Sequence, residues 1–240
     1  MLLEACLNGA RAGDLVPRTP EELARDSVAA VDAGAGLLHL HPYADGRETL
    51  DAAPCAAALR AVRAACPGVP ISLSTSAEIE PDPARRLALV SGWTELPELV
   101  TANQGEPGIV GLCLELVSRG VGIEAGLLSL ADAEAFVASG LAGRCVRVLL
   151  EPLDPDPFEA VAHAAAMEEL LADAGIGLEQ VHHGDGVATW SVMARAVERG
   201  HGIRAGLEDS PVLADGSPAG NAELVRAGAA MLSPRGRSRT

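Results

Sequence analysis

The chain has 240 residues, of which 48% are hydrophobic, and this length suits one globular domain or one α/β barrel. The formal net charge of -15 disfavours non-specific binding to nucleic acid or to an anionic membrane. All 18 basic residues are arginines, and the absence of lysine excludes chemistry through a lysine Schiff base.

Two further features bear on where the protein works. Five scattered cysteines, an odd number without a CxxC pair, predict buried free thiols in a reducing compartment. No run of 18 apolar residues occurs, and Glu4 interrupts an N-terminal apolar segment that lacks a basic region before it. We therefore expect neither a signal peptide nor a membrane span, and we predict a cytoplasmic protein.

Short apolar runs alternate with longer segments rich in Ala, Leu, Glu and Arg. The first helix has the clearest start, with Thr19 as N-cap, Pro20 at the first helical position and Glu22 as the capping-box partner. In chain order, the predicted elements are strand 2–7, helix 20–33, strand 36–41, helix 51–66, strand 70–75, helix 83–90, strand 96–103, helix 108–119, strand 121–125, helix 130–139, strand 145–151, helix 154–171, strand 178–183, helix 187–198, strand 203–207 and helix 221–231.

This alternation predicts a parallel sheet, because each crossover helix returns the chain to the same end of the sheet. Nearly continuous apolar runs are typical of strands that are covered on both faces. An eight-stranded (β/α)8 TIM barrel fits this pattern best, and a doubly wound open sheet is the alternative. We expect a single barrel domain over 1–232 and a disordered, arginine-rich tail over 233–240.

The second predicted strand ends in two histidines one residue apart. His39 and His41 share a face, because side chains alternate along a strand, and both point inward at the catalytic end of the barrel. Glu208 follows the eighth strand, which lies close to the first two strands when the barrel closes. Two histidines and one carboxylate with an open position suit catalytic Zn²⁺, and non-haem Fe(II) uses the same set.

Polar residues also mark the carboxyl ends of the other strands, where a barrel carries its active site. Arg204 faces inward in the eighth strand and needs a partner; Asp209 is the candidate, in a pair that is either structural or catalytic. Only one of His182 and His183 can enter the site, since neighbours on a strand face opposite ways. The other candidates are Asn8, Arg11, Ser74, Thr75, Thr101, Asn103, Glu124, Glu151 and Asp185.

Three remaining features receive a simpler interpretation. Asp45 and Gly46 predict a turn. His163 lies within a predicted helix and His201 lies at the far end of the barrel, so neither is expected in the site.

Several segments together resemble the β-keto acid cleavage enzymes, a family whose founding activity is the cleavage of 3-keto-5-aminohexanoate. The match runs in order over nearly the whole chain, and the HxH pair combined with the R-x-G-x-E-D run is specific. The matching segments are Asn8-Gly9-Ala10, Ala33-Gly34-Ala35, His39-Leu40-His41, Ser74-Thr75, Thr101-Ala102-Asn103, the run from Ile203 to Asp209, and the run from Ser217 to Val225.

This resemblance implies a (β/α)8 barrel, usually a homotetramer, that binds one Zn²⁺ through His39, His41 and Glu208. It implies that a β-keto acid and acetyl-CoA react to give acetoacetate and the CoA thioester of the remaining acyl part. Asp209, held by Arg204, is then the general base for the CH₂ group between the two carbonyl carbons. The residues implied to bind substrate are Arg11, Ser74, Thr75, Thr101, Asn103 and Glu124.

The chain departs from the family pattern around the substrate pocket. Arg11 stands where the family often has an acid, and it predicts a keto acid with an additional carboxylate. The Pro42-Tyr43-Ala44 segment replaces a common Arg-Asp pair, and the run from Glu151 to Pro155 replaces a Gly-Pro-rich loop. Two alternatives therefore stay open: a CoA-independent metal-dependent lyase or hydrolase acting on a small keto acid, and a non-catalytic protein that binds a small carboxylate. Mn²⁺, Fe²⁺ and Co²⁺ stay open beside Zn²⁺.

Overall fold

A closed barrel of eight parallel strands is the central feature of the computed structural model, which describes residues 1–233. The last strand pairs with the first, so that Leu3 lies beside Ile203 and Ala5 beside Ala205. The predicted (β/α)8 TIM barrel is confirmed, and the open-sheet alternative is wrong. Of the tail that the sequence predicts to be disordered, residues 234–240 lie outside the described part of the chain.

The barrel strands follow one another around the barrel in chain order, and the third and fourth strands of the chain lie outside it. In chain order, the elements are β1 (Leu3–Cys6), α1 (Pro20–Ala33), β2 (Leu37–Leu40), β3 (Tyr43–Ala44), β4 (Arg47–Glu48), α2 (Ala52–Ala65), β5 (Ile71–Ser74), α3 (Pro83–Ser91), β6 (Leu99–Asn103), α4 (Ile109–Ser118), β7 (Gly122–Leu127), α5 (Leu130–Ser139), β8 (Arg147–Leu150), α6 (Pro157–Asp173), β9 (Glu179–His182), α7 (Ala188–Arg199), β10 (Gly202–Ala205) and α8 (Asn221–Leu232). Within residues 1–233, no helix is long and apolar enough to cross a membrane.

Local capping explains where several helices begin. At the start of α1, Thr19 Oγ1 accepts from the Glu22 amide at 3.2 Å, and Glu22 Oε2 accepts from the Thr19 amide at 3.0 Å. This reciprocal pair is the predicted capping box. At α6, the Asp156 side chain caps the helix by accepting from two backbone amides, whereas Asp51 stands at the N-cap of α2 without a side-chain hydrogen bond. The start signals read from the sequence therefore locate the helix boundaries.

The two faces of the barrel strands have different chemistry. Outward-facing residues such as Leu38, Leu73 and Val148 are buried against the helices in one continuous apolar core. Inward-facing residues are largely polar: Thr101 stands in register with Glu124 on the neighbouring strand. Because a barrel interior is normally packed with branched apolar side chains, this polar interior indicates that the inside of the barrel is used for binding or chemistry.

A small hairpin stands between β2 and α2. Strands β3 and β4 pair antiparallel, and the expected turn at Asp45-Gly46 joins them with φ values of 51° and 76°. Two successive positive φ values are typical of a type I′ turn, whose twist suits a two-residue hairpin. The hydroxyl group of Tyr43 donates to the carbonyl of Gly9 at 2.7 Å, which anchors the hairpin beside the loop after β1.

Candidate active site

Three predicted metal ligands converge at the carboxyl end of the barrel. The Nε2 atoms of His39 and His41 lie 3.1 Å apart. Glu208 Oε2 lies 3.6 Å from Nε2 of His39, and Oε1 lies 3.4 Å from Nε2 of His41. The convergence follows from the strand order, because β1 pairs with both β2 and β10 and so brings the loop after β10 beside the two histidines.

The remaining ring nitrogens are occupied, which leaves both Nε2 atoms facing Glu208. His41 Nδ1 hydrogen-bonds with Glu48 Oε1. His39 Nδ1 lies 3.2 Å from the Ser72 hydroxyl and 3.3 Å from the Thr101 hydroxyl. Metal-binding histidines commonly use their second nitrogen in this way, since that hydrogen bond sets the orientation of the ring.

The donor set fits a divalent transition metal. One ligand atom from each of His39, His41 and Glu208 lies within 4.8 Å of the others. Glu208 Oε2 is buried and has no hydrogen-bond partner within the described residues, which is costly unless a cation satisfies it. Gly9 makes the approach possible, because a Cβ there would lie 2.5 Å from Cγ of Glu208.

The metal-free histidines have opposite protonation preferences. Burial lowers the pKa of His39 to about 3. Burial also opposes the charge on His41, but the carboxylates of Glu208 and Glu48 outweigh it and raise the pKa of His41 to about 9. For Glu208, burial acts to raise the pKa, whereas Arg204 and the two histidines hold it well below its usual range. At neutral pH, the site therefore holds one neutral and one charged imidazole against an ionised carboxylate.

Arg204 and Asp209 form a buried ion pair directly behind the ligands. Arg204 Nη2 donates to Asp209 Oδ1 at 2.6 Å, and Nε donates to Oδ2 at 3.2 Å. The same Nη2 also donates to Glu208 Oε1 at 3.2 Å. Burial acts to raise the pKa of Asp209, but Arg204 and His183 lower it. This bidentate geometry keeps Asp209 ionised and holds it next to Glu208.

His183, rather than His182, enters the site. His183 is fully buried, with Nδ1 3.2 Å from Asp209 Oδ2 and Nε2 3.4 Å from Glu151 Oε2. Burial and Arg204 lower its pKa, but the two carboxylates outweigh them and raise it to about 10. His182 instead stacks on His201, with ring centroids 4.8 Å apart. Asp209 thus has a cation on two sides, and His183 connects it to Glu151.

Arg11 braces the loop that carries the metal ligand. Its Nη2 donates to the backbone carbonyls of Glu208 and Asp209, both at 3.0 Å, and forms an ion pair with Asp185 at 3.0 Å. Arg11 also lines the cavity beside the metal ligands. The residue therefore has a structural role in addition to any contact with substrate.

The other residues expected to bind substrate occupy several levels of the barrel. Thr101 donates to Glu124 Oε2 at 2.8 Å, and the same hydroxyl lies 3.3 Å from His39 Nδ1. Thr75 Oγ1 donates to the Thr101 carbonyl, and Asn103 Nδ2 donates to Glu106. Ser74 is almost fully buried. Of these residues, Thr101 contacts His39 directly, and none of them lies in the wall of the cavity beside His41 and Glu208.

That cavity has a volume of about 370 Å³ and opens above the metal ligands. Its wall consists of Gly9, Ala10, Arg11, His41, Glu48, Ser76, Glu78, Ile79, Glu151 and Glu208. Sequence reasoning missed Glu48, Ser76, Glu78 and Ile79. The Asp45-Gly46 pair was a usable signal for Glu48, because a two-residue turn there returns the chain towards His41.

A comparison with protein families shows which family the sequence of this chain matches. The sequence model of the beta-keto acid cleavage enzyme matches residues 1–115 and 151–239. The chain belongs to the beta-keto acid cleavage enzyme family. The resemblance drawn from the sequence is therefore confirmed, and the family match includes all three converging ligands.

Individual relatives match smaller parts. A 3-keto-5-aminohexanoate cleavage enzyme from Fusobacterium nucleatum subsp. nucleatum is 38% identical over 92 residues, which cover 38% of this chain and 32% of the relative. Two solved structures share the fold: a ternary complex of ObcA with a C4-CoA adduct and oxalate (TM-score 0.73, 17% identity), and a binary complex of ObcA with oxaloacetate (TM-score 0.69, 18% identity). The matches cover 91% and 88% of this chain, and they correspond to 64% and 62% of the length of the two ObcA chains.

Proposed function

We propose that this protein is a zinc-dependent β-keto acid cleavage enzyme. It condenses a β-keto acid with acetyl-CoA and gives acetoacetate and an acyl-CoA. The observation that carries the proposal is the convergence of His39, His41 and Glu208 beside the buried Arg204–Asp209 pair. Membership of the beta-keto acid cleavage enzyme family supports the reaction class. We also propose a cytoplasmic homotetramer, on the family resemblance and the five buried free thiols.

His39, His41 and Glu208 would hold the metal through two Nε2 atoms and one carboxylate. Bound there, the metal ion supplies Lewis acidity that stabilises negative charge on the keto oxygen of the substrate. Zn²⁺ suits this set of two imidazoles and one carboxylate with an open position. The cavity above the ligands, lined by Gly9 and Ala10, leaves room for a small keto acid.

Asp209 is the proposed general base. Its carboxylate takes a proton from the CH₂ group between the carboxylate and the keto carbonyl of the substrate. The carbanion attacks the thioester carbonyl of acetyl-CoA, so that a C–C bond forms and the CoA thiolate leaves. The thiolate then attacks the original keto carbon, the bond from that carbon to the CH₂-derived carbon breaks, and the proton returns to the released acetoacetate. Arg204 supports this cycle because it keeps Asp209 ionised between turnovers.

Two observations support the proposed reactants. ObcA, which shares the fold, has been solved with a C4-CoA adduct and with oxaloacetate, and this favours a CoA thioester and a small keto acid here. Arg11 lines the cavity and favours a keto acid with a second carboxylate. We place Ser74, Thr75, Thr101, Asn103 and Glu124 among the residues that shape or bind the substrate end of the site.

The test is a panel of neutral, cationic and dicarboxylic β-keto acids, incubated with the purified protein and with or without acetyl-CoA and a chelator. We expect acetoacetate and an acyl-CoA in equal amounts, only with acetyl-CoA, and loss of both products after metal removal. Asp209→Asn serves as the control for non-enzymatic loss of the keto acid. Cleavage of the keto acid without acetyl-CoA would show that the protein is a lyase or hydrolase and not an acyltransferase. No turnover of any substrate by the zinc-loaded protein would overturn it.

A further inference from the structure

The two metal-facing histidines are held by different parts of the chain. His39 lies inside the barrel, where its Nδ1 faces the hydroxyls of Ser72 and Thr101. The Nδ1 of His41 instead faces Glu48 Oε1. Glu48 belongs to β4, which is outside the barrel sheet. The outer histidine therefore depends on the hairpin, whereas the inner one depends on the barrel.

The backbone of His41 is already fixed before Glu48 acts on the ring. Asn8 Nδ2 donates to the His41 carbonyl at 2.7 Å, and the His41 amide donates to Asn8 Oδ1 at 2.9 Å. What stays adjustable is the orientation of the ring and the position of its proton. An imidazole that binds metal through Nε2 carries its proton on Nδ1, and a carboxylate is the strongest ordinary acceptor for that proton.

The hairpin places Glu48 through contacts of its own. The Thr49 amide donates to the Pro42 carbonyl at 2.9 Å and closes the base of the hairpin. Tyr43 is anchored to Gly9, and the Arg18 guanidinium lies 5.6 Å above its ring. The side chain of Glu48 is only 14% exposed, so water is a weak competitor for its contact with His41. Glu48 is therefore held towards the ring by the fold as well as by the hydrogen bond.

We propose that Glu48 is a positioning residue that holds His41 in the Nδ1-protonated form and thereby couples the β3–β4 hairpin to the metal ion. This inference rests on the metal site of the proposed function. A carboxylate that orients a ligating histidine typically contributes 10–100-fold to metal affinity. Because coupling is reciprocal, metal binding stabilises the contact between Glu48 and His41 by the same factor.

The experiment measures Zn²⁺ affinity as a function of pH, by competition with a chromophoric chelator and without any substrate, and compares the limiting affinities at high pH, where proton competition at His41 no longer contributes. The variants are Glu48→Ala, the nearly isosteric Glu48→Gln, and Glu78→Gln as a control. Glu78 lies in the same cavity wall but is exposed and does not contact the ligands, so Glu78→Gln removes the same charge without removing the contact. We expect about 10–100-fold weaker binding for Glu48→Ala, a smaller loss for Glu48→Gln, and a change below about twofold for Glu78→Gln.

Hydrogen exchange of the backbone amides over 43–49 provides the second readout. Zn²⁺ should slow exchange in the wild type and in Glu78→Gln, and should do so much less in Glu48→Ala. If Glu48→Ala does not fold, Glu48→Gln carries the comparison. Equal zinc affinity in Glu48→Gln, Glu48→Ala and Glu78→Gln overturns the inference and leaves the proposed function intact. Wild-type protein that binds Zn²⁺ no better than His39→Ala overturns the metal site itself.

Discussion

Zinc binding should release one proton per ion near neutral pH, because the two histidines start from opposite states. His39 is neutral, since burial lowers its pKa to about 3. His41 is protonated, since Glu208 and Glu48 outweigh burial and raise its pKa to about 9. A metal ion can bind only the neutral imidazole, so it must displace the proton of His41 and no proton of His39.

The size of the effect follows from these two values. At pH 7, which is two units below the pKa of His41, only about 1% of His41 is neutral, so the apparent zinc affinity is about 100-fold below its limit. This deficit corresponds to about 2.7 kcal/mol of binding free energy. The sign is fixed: apparent affinity rises about tenfold per pH unit as pH increases towards 9, and falls by the same factor on acidification.

Isothermal titration calorimetry in buffers of different ionisation enthalpy counts the released protons directly. We expect a value near one at pH 5.5, 6.0 and 6.5, because a zinc-bound water with a pKa of about 7 is still mostly protonated in this range. Two ordinary histidines of pKa about 6.5 would instead release about 1.8 protons at pH 5.5 and about 1.0 at pH 6.5. A count that declines in this way, or a count near zero, would refute the reasoning. In Glu48→Gln the count should decrease with pH, because a carboxylate that raises the pKa of His41 is gone.

Three further predictions concern stability. Glu168→Gln should lower the free energy of unfolding at pH 7 by about 2 kcal/mol. Burial acts to raise the pKa of Glu168, but hydrogen bonds from one histidine and two arginines outweigh it and lower that pKa to about 2. Its contribution is complete above about pH 4.5 and disappears as pH falls towards 2, so urea unfolding of both proteins should converge in acid. Gly206→Ala should cost at least about 3 kcal/mol in the same assay, because the new Cβ would lie 1.9 Å from the Cys6 carbonyl oxygen; a loss below 1 kcal/mol would contradict this. Trp93→Phe should cost about 1 kcal/mol in thermal unfolding, since it removes a buried 2.7 Å bond from the indole to the Leu50 carbonyl, and an unchanged midpoint would count against it.

The order of the strands and helices along the chain could be predicted from local sequence patterns. Apolar runs, cap residues and glycines mark the eight barrel strands and eight helices, and the capping box at Thr19 and Glu22 is found where the pattern predicts it. These features act over a few residues, so they can be read without knowing the contacts. The boundaries of the strands differ by a few residues, because pairing with neighbours decides where a strand ends.

The grouping of His39, His41 and Glu208 could be predicted because barrel topology itself brings strand ends together. The Arg204–Asp209 pair could be predicted because an inward arginine needs an anion. The partners that set the chemistry could not be predicted in the same way. Which of His182 and His183 faces Asp209 depends on the register of β9, and alternation alone allows either.

The sequence by itself therefore determined the alternation of strands and helices, which follows from local periodicity. It favoured the closed barrel over an open sheet, and it indicated that His39, His41 and Glu208 converge, because barrel closure brings these strand ends together. Only the tertiary structure decided which residues hold those ligands in place. Glu48 reaches His41 because a two-residue turn reverses the chain, and Glu4 lies 3.9 Å from His39 Nδ1 because β1 pairs with β2. The Asp45-Gly46 pair signals that the chain turns back towards His41, but the side-chain contacts themselves depend on packing between elements.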